Sequence, residues 1–180
     1  GDSHAAHLFS GLAGSLPDTN VAYYAHSLKL PVADGGDMTR LIDRVVEDQT
    51  IETVVVNVFW AAYSLSGDLL PQTLRDLTQS GKKVFVTDDV PDFPFGADQC
   101  KYGFSPLLPV ERCTQGYEDF AQKYATYYPQ LEAAVNQVPG VELLNSAQYF
   151  CDQETCSMKI DGTLVYADDD HINHQGSAFL

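Results

Sequence analysis

Hydrophobic positions along the chain change their period several times, and these changes mark alternating helices and strands. Leu8, Leu12 and Leu16 recur every four residues, which is the spacing of one helix face. Apolar runs rich in β-branched and aromatic residues predict strands instead. On these patterns we predict helices at residues 4–16, 37–48, 69–79 and 118–137, and strands at residues 20–27, 53–60, 82–87 and 141–145.

This alternation predicts an α/β fold, because parallel strands are joined by helices that cover both faces of their sheet. We therefore expect a three-layer α/β/α sandwich with a mostly parallel central sheet. Sites in such sheets form beyond the carboxyl ends of the strands, so the loops after Trp60, Thr87 and Asn145 are expected to share one rim. Ser3 joins that rim if a strand runs into it, and we expect such a strand ahead of Gly1.

Length and composition are those of one globular domain: 180 residues, of which 44% are hydrophobic and 19% charged. The chain opens directly on Gly-Asp-Ser, and residues 176–180 have the pattern of a first helical turn. We therefore expect residues 1–180 to be a single domain of a longer protein. The formal net charge of −15 repels phosphate backbones and anionic lipid, which argues against a nucleic-acid partner.

Four cysteines allow three disulfide pairings. We favour Cys100 with Cys113 and Cys151 with Cys156, because each of these pairs closes a short loop rich in turn residues. Neither spacing is the CxxC of a zinc or redox site. Two disulfides would place the domain in an oxidising compartment.

Two segments carry the candidate chemistry. A Gly-Asp-Ser stands at residues 1–3, at the head of a predicted helix, and an Asp-x-x-His joins Asp168 to His171 near the other end. A serine hydroxyl needs a base within hydrogen-bond reach, and a histidine base needs a carboxylate that fixes its tautomer. Backbone amides at a helix start also face any oxyanion formed there. Taken separately, the Gly-Asp-Ser is also typical of a helix cap, and the Asp-x-x-His is also typical of a solvated acidic loop.

Together the two segments resemble the SGNH (GDSL-type) hydrolase superfamily. The wording is closer still to the SGNH domains fused to acyltransferase-three membrane proteins: Gly-Asp-Ser-His-Ala at residues 1–5, a strand that ends in Trp60, a cysteine hairpin, and Tyr-x-Asp-x-x-His-Ile-x-x-x-Gly at residues 166–176. The resemblance spans nearly the whole chain, densely at its two ends and thinly in the middle.

The resemblance implies an SGNH, flavodoxin-like fold with Ser3 as nucleophile, His171 as base and Asp168 as the carboxylate that orients it. It also implies transfer of a small acyl group to, or its removal from, cell-surface or secreted carbohydrate, without cofactor or metal. Partners would be a small acyl donor, a carbohydrate acceptor and a fused integral-membrane acyltransferase domain. The location would be the periplasmic or extracellular face of a bacterial membrane.

One departure concerns the oxyanion hole. The superfamily uses a Gly-x-Asn-Asp stretch that this chain lacks, so the candidate donors are the amides of Ser3 and Gly35 and the side chain of Asn57, which falls inside a predicted strand. Trp60 and Tyr63 follow the carboxyl end of that strand, where flat aromatic rings are placed to stack on a sugar.

Two other functions remain open. The missing Gly-x-Asn-Asp suits a catalytically weak or silent domain that binds carbohydrate or a partner protein. The dense group of Asp168, Asp169, Asp170, His171 and His174 suits a metal-binding module, since carboxylates and imidazoles bind several divalent ions.

Overall fold

The computed structural model describes residues 1–24, 26, 29–102 and 113–180. In this part of the chain the helices are α1 (Ser3–Ser15), α2 (Asp37–Glu47), α3 (Leu69–Gln79), α4 (Ala97–Tyr102), α5 (Tyr117–Asn136) and α6 (His174–Phe179). The strands are β1 (Thr53–Val56), β2 (Lys83–Thr87), β3 (Thr114–Gly116), β4 (Val141–Leu144), β5 (Thr155–Ser157), β6 (Lys159–Ile160) and β7 (Thr163–Leu164).

The central sheet is parallel, with strand order β1-β2-β4. Its β-branched residues face one another across the ladder: Val54 lies opposite Val84, and Val56 lies opposite Val86. Such side chains suit a pleated surface that is covered by helices. The strands run in one direction, so their carboxyl ends form one rim, and the predicted α/β fold is confirmed.

One hydrophobic core joins this sheet to α2, α3 and α5. Its most buried members include Trp60, Leu74, Val84, Val86 and Leu131. Helix α3 matches its predicted bounds because Gly81 follows it in the left-handed region, at φ +88°, where residues with a side chain are strained. Helix α5 runs through Pro129 and lies within one residue of its prediction at each end.

A second hydrophobic cluster lies around α1 and the segments that carry the cysteines. Leu8, Phe93, Phe150, Met158 and Tyr166 belong to it. The antiparallel pairs β3–β5 and β6–β7 flank this cluster. Both predicted disulfides are present, joining Cys100 to Cys113 and Cys151 to Cys156.

Two strand predictions need correction. Residues 20–24 and 26 form no strand, and residues 25 and 27 lie outside the described residues. The strand predicted at residues 53–60 is β1 alone, so Asn57 lies just past the strand and not inside it. The predicted excursion between residues 88 and 114 contains α4 and the start of β3, and its residues 103–112 also lie outside the described part.

Gly1 lies between two neighbouring segments at the start of the chain. Its amino group donates to the Tyr24 carbonyl at 3.0 Å, and the His26 amide donates to the Gly1 carbonyl at 2.8 Å. A side chain on Gly1 would collide with the carbonyl oxygen of Asn57, which shows how closely Gly1 approaches the end of β1. A strand ahead of Gly1 stays a prediction.

Candidate active site

Ser3 is the first residue of α1, and its side chain is exposed. Asp2 caps the helix: its carboxylate accepts hydrogen bonds from the His4 amide at 2.9 Å and the Phe59 amide at 3.1 Å. The Tyr63 hydroxyl donates to the same carboxylate at 3.1 Å. The start of α1 is thereby fixed against the segment that follows β1, at the rim of the sheet.

His171 lies in a tight loop between β7 and α6. The Asp168 carboxylate accepts from the His171 amide at 2.7 Å and from the Asp170 amide at 3.1 Å, which closes the turn. Across the loop, the Ala167 amide donates to the His171 carbonyl at 2.8 Å. Asn173 then caps α6 through its side-chain oxygen. Local hydrogen bonds therefore fix the backbone on both sides of the His171 ring.

The structure brings Ser3, His171 and Asp168 together. His171 Nε2 lies 2.9 Å from Ser3 Oγ, and His171 Nδ1 lies 3.1 Å from each Asp168 carboxylate oxygen. Burial acts to raise the pKa of Asp168, but the amides and ring of the loop outweigh it and hold the pKa below its usual value. The arrangement therefore keeps Asp168 ionised beside a ring that can take the Ser3 proton.

Close packing of α1 against α6 sets this geometry. The Gly11 amide donates to Ser177 Oγ at 2.7 Å, and that hydroxyl donates to the Leu8 carbonyl at 3.0 Å. A side chain on Gly11 would overlap the Ser177 backbone. The helix that begins with Ser3 is thus held against the helix that follows His171.

Three residues around the base lie outside the predicted catalytic triad. Asp170 Oδ1 lies 2.6 Å from His171 Nδ1, and Asp170 Oδ2 lies 3.7 Å from His4 Nε2. On its other side, His4 Nδ1 lies 2.8 Å from Asp89 Oδ1. His4 and Asp89 are separated by 85 positions in the chain, so no local spacing could have signalled the pair.

The charges of His4 and Asp89 depend on their burial and on their contact with each other. Burial acts to lower the pKa of His4, but the hydrogen bond and charge of Asp89, with Asp170 and Asp2, outweigh it and raise the pKa. Burial raises the pKa of Asp89 to about 6. Asp89 therefore changes charge close to the range in which a histidine base works, and His4 keeps its proton to higher pH than an ordinary histidine.

His7 lies one turn along α1 from His4, with ring centroids 5.0 Å apart. Among the described residues, neither of its ring nitrogens has a hydrogen-bond partner. Burial and the charges of His4 and His171 lower the pKa of His7 to about 3, so His7 stays neutral at physiological pH.

The structure gives different placements to the predicted oxyanion donors. Ser3 begins α1, so its amide has no acceptor within the helix. The Gly35 amide already donates to Thr39 Oγ1 at 2.6 Å. Asn57 is 2% exposed, and its amide group donates to the His4 carbonyl at 2.9 Å. Of these three groups in the described chain, the Ser3 amide is the one that belongs to the nucleophile itself and has no acceptor within the helix.

The predicted sugar contacts also differ. Trp60 is 0% exposed, and its Nε1 donates to the Thr87 carbonyl at 2.7 Å. A ring inside the core cannot stack on a sugar, so that prediction for Trp60 is wrong. Tyr63 is half-buried and binds Asp2, and burial with that carboxylate raises the pKa of Tyr63 to about 12. Tyr63 therefore helps to hold Asp2, the residue that caps the start of α1.

Several side chains have the chemistry and spacing for a metal ion. Ligand atoms lie within 4.8 Å of one another in the groups His4–His7–Asp89, His4–Asp170–His171 and Asp168–Asp169–Asp170. His174 belongs to none of these groups. An ion held through His171 Nε2 would compete with Ser3, and one held through Nδ1 would compete with the contacts of Asp168 and Asp170.

An open depression of about 420 Å³ lies beside the loop that carries Asp168. Ala97, Lys101, Ala167, Asn173 and Gln175 contribute to its lining. The Ala97 amide donates to the Asp168 carbonyl at 3.2 Å, which joins the start of α4 to the loop. The depression therefore borders the loop that carries Asp168, but its lining includes none of Ser3, Asp168 and His171.

Comparison with known proteins adds to this geometry. A model of the family described as "SGNH domain (fused to AT3 domains)" matches residues 1–180. A search of curated proteins gave no match. Among the described residues we find no helix whose length and hydropathy would let it span a bilayer.

Among solved structures, the periplasmic domain of a lipopolysaccharide acetyltransferase from Salmonella ser. Paratyphi A is similar. The two superpose with a TM-score of 0.63, over 99% of this chain and 77% of that chain. Their sequences are 16% identical, so the likeness establishes a shared fold.

Proposed function

Because this chain belongs to the family of SGNH domains fused to AT3 domains, we propose that it is a serine-dependent O-acyltransferase or acyl esterase. Its substrate would be an O-acylated carbohydrate of the cell surface or a secreted carbohydrate. The observation that carries the proposal is the contact of 2.9 Å between Ser3 Oγ and His171 Nε2, with the Asp168 carboxylate on the far side of the ring.

The proposed reaction has two steps. Ser3 Oγ passes its proton to His171 Nε2 and attacks the carbonyl carbon of the acyl donor, and the collapse of the tetrahedral intermediate returns that proton to the leaving group. An acyl-serine remains. His171 then takes a proton from a sugar hydroxyl or from water, whose oxygen attacks the acyl carbon. The bond from the acyl carbon to Ser3 Oγ breaks, and His171 returns the proton to Ser3 Oγ. Transfer and hydrolysis differ only in this second nucleophile.

The N-terminus of α1 supports the oxyanion that forms in each step. The Ser3 amide has no intrahelical acceptor, and helix dipoles place partial positive charge at this end. We propose this amide as the first donor. The Gly35 amide would need to leave Thr39, whereas Asn57 uses one of its two side-chain N–H groups on the His4 carbonyl.

Carbohydrate as acceptor is supported by the similar structure, which belongs to a lipopolysaccharide acetyltransferase. We propose that residues 1–180 form one catalytic domain of a longer membrane-anchored protein, whose AT3 domain supplies the acyl group. The periplasmic or extracellular side of a bacterial membrane is the proposed location, and the two disulfides suit such an oxidising compartment.

A catalytically silent binding domain is the second candidate. It is favoured by one observation: the Gly35 amide and the Asn57 side chain both have other partners, which leaves the oxyanion hole short of donors. Loss of one such donor lowers kcat by about 10²–10³ in other serine enzymes.

Turnover of a chromogenic acetyl ester separates the two candidates. We expect the unmodified chain to release the chromophore and Ser3→Ala to abolish the release. Ser15→Ala is the matched control, because Ser15 is an exposed serine at the other end of α1. Turnover by Ser3→Ala equal to that of the control would refute the proposal, and no turnover by the unmodified chain would favour the silent domain.

A further inference from the structure

A continuous row of side chains leads from the exposed Ser3 into the protein, through His171, Asp170, His4 and Asp89. We propose that Asp170 is a second carboxylate partner of the His171 ring, and that the buried His4–Asp89 pair holds it in that position. This inference rests on the proposed function, in which His171 is the base that serves Ser3.

The first support is the set of distances around His171 Nδ1. Asp170 Oδ1 lies 2.6 Å from this nitrogen, whereas both oxygens of Asp168 lie 3.1 Å away. When Nε2 accepts the Ser3 proton, Nδ1 carries one N–H, which forms its hydrogen bond with Asp168, while Asp170 meets the same nitrogen as an ion pair of the charged ring. Asp168 also accepts two backbone amides of its own loop. Asp168 therefore shapes the loop and accepts the hydrogen bond of the ring, while Asp170 makes the shortest contact with Nδ1.

The second support is how Asp170 is held. Its Oδ2 lies 3.7 Å from His4 Nε2, and the opposite ring nitrogen of His4 lies 2.8 Å from Asp89. The side chains of His4 and Asp89 are each 2% exposed, so solvent screens their interaction little. Asp170 thus bridges two imidazoles, one at the nucleophile and one inside the protein.

The third support is the backbone of Asp89. Its φ is +93°, in the region that residues with a side chain rarely adopt. Such backbone persists when surrounding contacts hold it. Here Asp89 Oδ1 accepts from the Val90 amide at 2.8 Å as well as meeting His4. The strained position aims the carboxylate at His4.

The charged and titratable groups that face His171 determine the expected pH dependence. Asp168 and Asp170 face it from its own loop, and His4 and His7 face it from α1. Carboxylates favour the protonated ring, and a protonated His4 opposes it. Removal of the Asp170 charge should therefore make His171 a weaker base and destabilise the imidazolium that forms in each step.

The kinetic test uses Asp170→Asn with Asp169→Asn as the matched control. Both remove one negative charge from the same run, but Asp169 is exposed and has no side-chain contact with His171 among the described residues. We expect Asp170→Asn to lower kcat about 10-fold with KM unchanged, less than the ~10⁴ lost when a base has no other carboxylate. The acid limb of kcat/KM should move to lower pH. Equal profiles for the two variants would overturn the assignment.

A second measurement needs no substrate. The imidazole signals of the unmodified chain and the variants are followed by NMR through a pH titration. We expect Asp170→Asn to shift the titrations of both His4 and His171, and Asp169→Asn to shift neither. In Asp89→Asn both signals should also move, because the loss at His4 reaches His171 through Asp170.

The outcomes are distinct. Movement of the His171 signal alone in Asp170→Asn would overturn the contact with His4, and movement of the His4 signal alone in Asp89→Asn would overturn the positioning role. If Asp89→Asn does not fold, the comparison of Asp170→Asn with Asp169→Asn still decides the contact. An unmodified chain without esterase activity would refute the proposed function, whereas the NMR titrations would still test the row of side chains.

Discussion

Gly11 offers the sharpest test of how the two ends of the chain are brought together. A Cβ added to Gly11 would lie 1.7 Å from the Ser177 carbonyl oxygen and 2.7 Å from Ser177 Oγ. Gly11→Ala therefore forces α1 and α6 apart by about 1 Å, since side-chain carbons need about 3 Å or more from such atoms. Gly14 lies on the same helix, and a Cβ added there would meet nothing within 4 Å, so Gly14→Ala is the matched control.

The expected cost has two sources. Overpacking of a well-filled contact costs about 1–3 kcal/mol. Separation of the helices also breaks the bonds from the Gly11 amide to Ser177 Oγ and from that hydroxyl to the Leu8 carbonyl, each worth about 1 kcal/mol. Gly11→Ala should therefore lower the free energy of unfolding by about 3–5 kcal/mol, whereas Gly14→Ala should raise it by up to about 1 kcal/mol through helix propensity.

Urea denaturation followed by circular dichroism measures both changes. A second readout is ester turnover under conditions in which Gly11→Ala stays folded: the Ser3–His171 contact of 2.9 Å should lengthen, and kcat should fall. Equal stability of the Gly11 and Gly14 variants would refute the close approach of the two helices.

Two further predictions concern His7 and Trp60. The pKa of His7 is lowered to about 3 in the folded chain, against 6.5 in the unfolded chain. Between these two values the unfolded chain binds a proton that the folded chain does not bind, so the free energy of unfolding decreases as the pH is lowered below 6.5. His7→Leu should recover about 2 kcal/mol of that loss at pH 5 in urea denaturation, with the exposed His174→Leu as control, and an unchanged pH slope would contradict it. Trp60→Phe should lower the unfolding free energy by about 2 kcal/mol by leaving the Thr87 carbonyl unpaired, with KM for the ester unchanged. A raised KM without loss of stability would restore the sugar contact.

Local patterns predicted the helices and the central strands well because recognisable residues mark where these elements lie or end. Helix α3 ends before Gly81, whose positive φ terminates a helix, and the bounds of α3 match those predicted. The β-branched run of β1 lies in the sheet as predicted, but pairing stops at Val56 although the apolar pattern continues to Trp60. Hydrophobicity predicts burial, and burial without ladder hydrogen bonds is not a strand.

The same distinction explains the strand predicted at residues 20–27. A strand requires a neighbour that supplies hydrogen bonds along its length. Tyr24 and His26 each form a backbone hydrogen bond with Gly1, and no ladder of paired residues includes them in the part of the chain that the structure describes. The run of apolar and aromatic residues was compatible with a strand, but a side-chain pattern alone does not provide a partner.

At the candidate site, the sequence indicated residues that are close to one another in the chain or that belong to a known motif. Asp168 and His171 are three positions apart, and Ser3 stands in the Gly-Asp-Ser motif. Burial of Trp60 and the His4–Asp89 pair depend on contacts between distant segments. Such contacts produce no recognisable pattern in the sequence, so they become visible only in the folded structure.

Covalent labelling of Ser3 tests the central claim most directly. The unmodified chain is incubated with a serine-directed phosphonate, and the labelled peptide is identified by mass spectrometry. We expect one adduct, on Ser3, with labelling abolished in His171→Ala because the hydroxyl then has no base. Absence of an adduct on Ser3, or equal labelling of Ser3 without His171, would contradict the account.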